Sequence, residues 1–195
     1  PEKTSGVAFG AGSIGSGTGL GPRVMPFHKD FLGRGIQVEI PLLYTYSQYQ
    51  LYQLSASVPI VSQRKSLERL SFDLGMDYVS RARDDFFGIG NDSPEEDKTQ
   101  YRLVSREART GFTAKWNDVW LSNVRGVYRS VGITQPTGDT PSTQDQFDSA
   151  SVPGLFGGTM GSIIFSIGRN NSKREDYTFK GGSDELEISF NDSLS

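Results

Sequence analysis

The groups in this chain with chemistry to offer are few: one histidine, a glycine fingerprint, an acidic run and a set of arginines. A lone imidazole such as His28 could be the base of a hydrolytic triad or of an acyl transfer at a lipid surface. No nucleophile-elbow sequence accompanies it, and beside Pro26 and Lys29 it reads as a solvated histidine in a short connection. Gly10-Ala11-Gly12-Ser13-Ile14-Gly15 matches G-x-G-x-x-G letter for letter. That fingerprint holds a pyrophosphate only where a helix opens at its third glycine. Here the text runs on as Ser16-Gly17-Thr18-Gly19-Leu20-Gly21-Pro22, which cannot be a helix. The glycines therefore belong to a strand, and no nucleotide is expected. Asp92 and the run Glu95-Glu96-Asp97 offer oxygens to a hard cation such as calcium, but without EF-hand spacing a plain acidic loop is the default. Cysteine is absent, which removes disulfides and thiolate metal sites. A net charge of -3 and a pI near 5.2 argue against a nucleic-acid partner. The expectation is a protein that is not an enzyme, with no catalytic residue, no cofactor, no metal and no small-molecule substrate.

The charges worth following are Glu107, Arg109, Arg125 and Arg129, all expected on the polar side of strands. Facing a barrel lumen, the arginines would either pair with Glu107, Asp73 or Asp77 as structural ion pairs or line a water-filled passage. Structural pairing is the favoured of the two.

The elements that would hold these groups are strands. Ile36, Val38, Ile40, Leu42, Tyr44 and Tyr46 alternate with Gln37, Glu39, Pro41, Leu43 and Thr45. Period-two alternation over about ten residues marks a strand with one apolar face, and that length suits a bilayer crossing better than the usual soluble strand of roughly 5–6 residues. Strands are expected over 6–20, 34–46, 49–60, 67–80, 100–116, 119–133, 157–169 and 183–191. Arg106 interrupts the apolar face of the fifth and would have to sit near a membrane interface. Tyr44, Tyr46, Tyr49, Tyr52, Trp116 and Trp120 lie near strand ends, where a membrane barrel carries its aromatic girdles. Residues 82–99 and 134–153 read as solvated loops. No apolar run approaches the roughly 18 residues of a transmembrane helix, and a hydrophobic fraction of 35% fits a barrel, whose strands show lipid every second residue. The fold expected is all-β: an antiparallel transmembrane β-barrel with about eight meander strands. A soluble β-sandwich with surface tyrosines is the rival.

Asp85-Phe86-Phe87-Gly88-Ile89-Gly90-Asn91-Asp92-Ser93 resembles the FFGxGNDS segment of BamA/TamA-like outer-membrane barrels, the bacterial surface-antigen family. Phe86, Phe87, Gly88, Gly90, Asn91, Asp92 and Ser93 carry that likeness. Phe31-Leu32-Gly33-Arg34-Gly35 resembles the family's turn after its first strand. Tyr49-Gln50-Leu51-Tyr52 with Val58-Pro59, and Lys98 to Leu103, resemble the strands on either side of the motif. The likeness covers roughly residues 5–135. It implies a bacterial outer-membrane location, lipid contact and client outer-membrane proteins as partners. The family's barrel has sixteen strands, so residues 1–195 would be its N-terminal half, without the periplasmic POTRA domains. Val124-Arg125-Gly126-Val127-Tyr128 imitates the family's arginine-containing loop motif but comes too early, so that role is not carried over. The function implied is to aid insertion or translocation of proteins at the outer membrane. The alternative is a complete eight-stranded barrel with a structural or adhesive role.

Overall fold

The computed structural model describes residues 4–15, 17–64, 67–89, 98–116, 119–137, 140–170, 173–175, 178–180 and 183–194. Strands dominate it: β1 (Ser5–Gly12), β2 (Gly21–Phe31), β3 (Ile36–Glu39), β4 (Leu42–Tyr44), β5 (Gln50–Arg64), β6 (Leu67–Phe86), β7 (Thr99–Lys115), β8 (Trp120–Thr134), β9 (Gly157–Asn170), β10 (Lys173–Glu175), β11 (Thr178–Lys180) and β12 (Ser183–Ser193). The one helix among the described residues is a single turn, α1 (Thr143–Gln146). An all-β antiparallel architecture is thus observed, as expected.

The main sheet is a meander in the order β1-β2-β3-β5-β6-β7-β8-β9-β12, with β4 between β2 and β5, while β10 and β11 form a separate hairpin. β3 and β4 are one strand in register: Val38 faces Ala56 and Leu42 faces Tyr52, with no slip between. The break falls at Pro41, which lacks a ladder N–H but still accepts from Gln53 N at 2.9 Å. Among the described residues β1 and β12 each pair on one side only, so the sheet has two edges.

Three expectations need correction at the N-terminal end. The stretch 6–20 is not one strand. The chain leaves β1 at Gly12, turns through Gly17 (φ 76°) and Gly19 (φ 71°), and returns as β2. Thr18 closes that turn, its fully buried hydroxyl accepting from Ile14 N and Gly15 N at 3.1 Å each. His28 is therefore not in a connection: it lies within β2, its Nδ1 accepts from Asp30 N at 3.2 Å, and Phe31 meets its ring edge-on. The Phe31–Gly35 turn follows the second strand, with Leu32, Gly33 and Gly35 at φ 61–67°.

The connections 13–20, 45–49, 87–98 and 135–156 all lie at one end of the sheet; the other end has the shorter 32–35, 65–66 and 116–119, besides 171–182. The buried apolar residues Leu43, Tyr49, Ala82, Val152 and Leu155 cluster at the end that holds 13–20, 45–49, 87–98 and 135–156. The stretch expected as a solvated loop at 134–153 is in fact folded. Ser142 caps α1, buried Thr143 shares a 2.9 Å hydrogen bond with buried Thr99, and Gln144 Nε2 donates to Ile133 O at 2.7 Å. Phe147 packs edge-on against Phe86 at 5.2 Å between ring centroids. A hydroxyl pair, a carboxamide and one aromatic pin this connection to β7, β8 and β6.

Candidate functional site

Because neighbours in an antiparallel ladder share a face, the register sorts the side chains into two sets. Rows of partners cross the sheet on its apolar face. One runs Val58, Phe72, Phe112, Val124, Phe165, Ile188; the next runs Ala56, Leu74, Thr110, Gly126, Ile163, Phe190. A third runs Leu54, Met76, Ala108, Tyr128, Gly161, Asp192, and a fourth Tyr52, Tyr78, Arg106, Ser130, Thr159. Tyr52 and Tyr78 stack at 5.8 Å in that last row, so Arg106 sits in line with two tyrosines at the edge of the apolar band. At the opposite edge Trp120 faces Arg169, and Arg169 faces Asp184. Between these edges the described acidic and basic side chains on this face are Asp192 on β12 and His28 on β2. Tyr49 does not join the aromatic edge: it is buried and donates its hydroxyl to Arg83 O.

Exposure runs opposite to that of a soluble sheet. Phe165, Ile163, Met76, Leu74, Phe112 and Phe190 are all exposed, Met76 at 61%. On the polar face the acids Asp77 and Glu107 are only 15% and 13% exposed, while Arg125, Arg129 and Glu187 stay exposed. A soluble domain buries the apolar set first. This sheet has its covering reversed.

The four charged residues expected together on the polar side are brought together there, and each arginine has an acid. Arg109 donates to Asp77, with Nη2 at 3.2 Å from Oδ1, and to Glu107 at 3.1 Å. Arg129 Nε donates to the same Glu107 at 2.7 Å. Arg125 reaches over β9 to Glu187 at 3.2 Å. Gln53 joins Asp77 at 3.2 Å, and Thr113 links Asp73 (2.5 Å) to Asn123 (3.0 Å). The paired charges cross-link β6 through β8, and β8 to β12, and Gln53 ties β5 to them. A chain of satisfied pairs braces a wall; it leaves none of these three arginines free to select a passing ion. Glycine makes room for it, since a Cβ on Gly75 would lie within 2.8 Å of Arg109 Cγ. Neither Gly75 nor Glu187 was foreseen: a missing side chain opposite a large one shows only once the register is known.

Beyond the apolar band, at the long-connection end, a bulge between Arg81 and Asp84 lets β6 run on. There burial pushes the Asp84 carboxyl above the usual carboxylate range, against the pull of Arg81 at 3.0 Å. Hydrogen bonds from Lys98 and Gln100 hold the neighbouring Asp85 below it.

No protein-family model, curated protein or solved structure matches the chain. Of the residues that carry the resemblance, Phe86 ends β6, Phe87 lies under Lys98 Nζ at 5.6 Å, and Gly88 takes φ 100°. Gly90, Asn91, Asp92 and Ser93, like the acidic run to Asp97, lie outside the described residues. Val124-Arg125-Gly126-Val127-Tyr128 lies inside β8. The glycine fingerprint runs through β1 into its turn, without the helix a pyrophosphate needs. No helix among the described residues is long and apolar enough to cross a membrane, which says nothing of strands.

Proposed function

We propose that this chain is part of a bacterial outer-membrane β-barrel of the BamA/TamA type that aids insertion or translocation of other proteins, acting mechanically and without a catalytic step. The observation that carries the reading is the covering of the sheet: large apolar side chains stand exposed while the acids Asp77 and Glu107 of the opposite face are sheltered. A lipid bilayer is the solvent in which that arrangement is the low-energy one. The dimensions agree. From Trp116, just past the end of β7, back to Arg106 is ten residues, or roughly 34 Å of extended chain; at a barrel tilt of ~35–45° that is about 26 Å of height, against the ~25 Å apolar band of such barrels. Tyrosines mark one edge and tryptophans the other, with Arg106 and Arg169 at those edges, where cations are tolerated. Three of the four connections at one end, 13–20, 87–98 and 135–156, are long, in line with the longer extracellular loops of the class, while the other end has one long connection, 171–182.

The insertion role rests on β1. It is a short edge strand whose polar-face positions are Gly6, Ala8, Gly10 and Gly12, so little side chain holds it in place. An edge so lightly held can pair with a client strand. The test places a photo-crosslinking residue at Ala11 of the full-length protein in cells. Adducts with newly made outer-membrane proteins, together with lowered levels of those proteins in an Ala8→Pro strain, are the expected result. Adducts solely to β12 of the same polypeptide would leave a closed structural barrel and end the insertion reading.

A further inference from the structure

We propose that the apolar face binds a long-chain ammonium amphiphile, its cationic head at Asp192 and its chain lying across the strands. The site deepens the barrel reading and rests on it, since it requires the apolar face to meet lipid. Three observations converge. First, the face is not evenly packed. A groove of about 800 Å³ crosses six strands, from Leu54 and Ala56 on β5 to Phe190 and Asp192 on β12. It opens because the side chains of its middle are small: Ala108 and Thr110 on β7, Gly126 on β8 and Gly161 on β9. Five steps between neighbouring strands give it a length of roughly 24 Å, room for an extended alkyl chain.

Second, the two ends differ. On β5 the groove ends on aliphatic side chains, and on β12 it reaches a carboxylate. Asp192 is exposed, and its side chain makes no ion pair or hydrogen bond among the described residues. The other side chains that this face gives to the groove are apolar, absent or carry a neutral hydroxyl.

Third, the described residues offer this carboxylate no counter-charge. Arg109 also borders the groove, but its guanidinium is held by Asp77 and Glu107 on the polar face. Arg106 stands three strands and one row away, about 16 Å across the ladder, and does not border the groove. A carboxylate beside hydrocarbon gains more from a cation than one in water, because the lower dielectric strengthens the pair. An ammonium head brings it three donors, and the chain covers the apolar length beyond. An anionic head would be repelled there, and a neutral one would leave the charge unmatched.

Spin-labelled stearylamine and stearyl alcohol, with the nitroxide at the same place in the chain, provide the test, added at neutral pH to the full-length protein in phosphatidylcholine vesicles. The reading is the fraction of each probe whose motion the protein restricts. An exposed ion pair favours its cation by up to about fivefold, and a preference for the amine of about three- to fivefold is expected. Asp192→Asn is expected to bring that preference to about one. Asp184→Asn removes the same charge from the far end of β12 and is expected to leave it unchanged. Gly126→Leu is expected to abolish it by filling the floor; it fits the fold, because a Cβ there meets nothing closer than Thr110 O at 4.0 Å. A wild-type ratio near one, or a ratio unchanged in Asp192→Asn, overturns the site. Equal losses in Asp192→Asn and Asp184→Asn, or a preference untouched by Gly126→Leu, would reduce it to plain surface attraction and overturn it equally. If neither probe is restricted by any form of the protein, the barrel reading itself falls, and the site with it.

Discussion

Replacing Phe112 by arginine separates a lipid-facing sheet from a water-facing one. Phe112 lies four residues from Trp116 and six from Arg106 on β7, which puts it near the middle of the apolar band. In water, a side chain already 44% exposed gives up little on this change. The loss there is its tilted packing on Phe72 at 5.2 Å, worth about 0.5–1.5 kcal/mol. In a bilayer, an arginine at mid-depth costs a further ~2–4 kcal/mol, while one at the interface costs ~0–1 kcal/mol. Ser130→Arg supplies the interface control, because Ser130 pairs with Arg106 at the band's edge. The expected gap between the two variants is therefore about 3 kcal/mol in lipid. Urea titrations of the full-length protein folded into phosphatidylcholine vesicles, followed by tryptophan fluorescence, measure it. Should Phe112→Arg cost no more than about 1.5 kcal/mol beyond Ser130→Arg, the aromatic packing alone accounts for it, and the apolar face does not see hydrocarbon.

Other positions give sharper tests of the polar face. Gly75→Leu drives its side chain into Arg109 and is expected to cost about 1–3 kcal/mol in the same titration, whereas Gly126→Ala, with open space before it, should cost nothing measurable. Arg109→Ala leaves Asp77 and Glu107 without their shared cation; with the pair partly solvated, a loss of about 1–2 kcal/mol is expected. Adding Asp77→Asn should recover much of that loss, and strict additivity of the two changes in a double-mutant cycle would show that the contact is energetically empty. Asp84 supplies a pH signature. Its folded pKa is raised, so the folded state holds the proton more tightly, and stability falls as pH rises from the unfolded value near 4 through the raised one. Asp84→Asn should remove that slope; parallel stability curves for variant and wild type between pH 4 and 7 would refute the burial cost.

Much of the sheet was legible because alternation is a local signal. β5, β6, β7, β9 and β12 each show it over many residues, β8 less cleanly. The observed limits fall near the expected ones except at β6, which runs to Phe86 through the first part of the stretch 82–99 that read as a solvated loop. β2 was hidden by Pro22 and Pro26, which read as punctuation. Pro26 is tolerated there: its carbonyl accepts from Ile40 N at 2.9 Å, though the proline has no N–H to give. The overlong first strand came from glycines that look alike in a strand and in a turn; a positive φ at Gly17 and Gly19 separates them, and spacing cannot show it. Which face Arg109, Arg125 and Arg129 share was readable from parity. Their partners were less so, since Arg125 meets Glu187 from 62 residues away and only the meander brings them together. The fold of 134–153 was likewise invisible, because its serines and threonines act as buried anchors rather than as solvated loop residues.

The bulges have a consequence for how this chain can change length. Between Arg102 and Lys115 β7 keeps one unbroken register with β8, and a lost or gained residue there would carry every later side chain to the wrong side: charges outward, phenylalanines inward. The irregularities at His28/Phe31, Pro59/Val61 and Arg81/Asp84 are already places where one strand carries more residues than its partner. They are the expansion joints of the sheet. Single-residue insertions and deletions should survive at those three points and in the connections, so variation in length would be written into the rims of the sheet while its middle stays fixed in count.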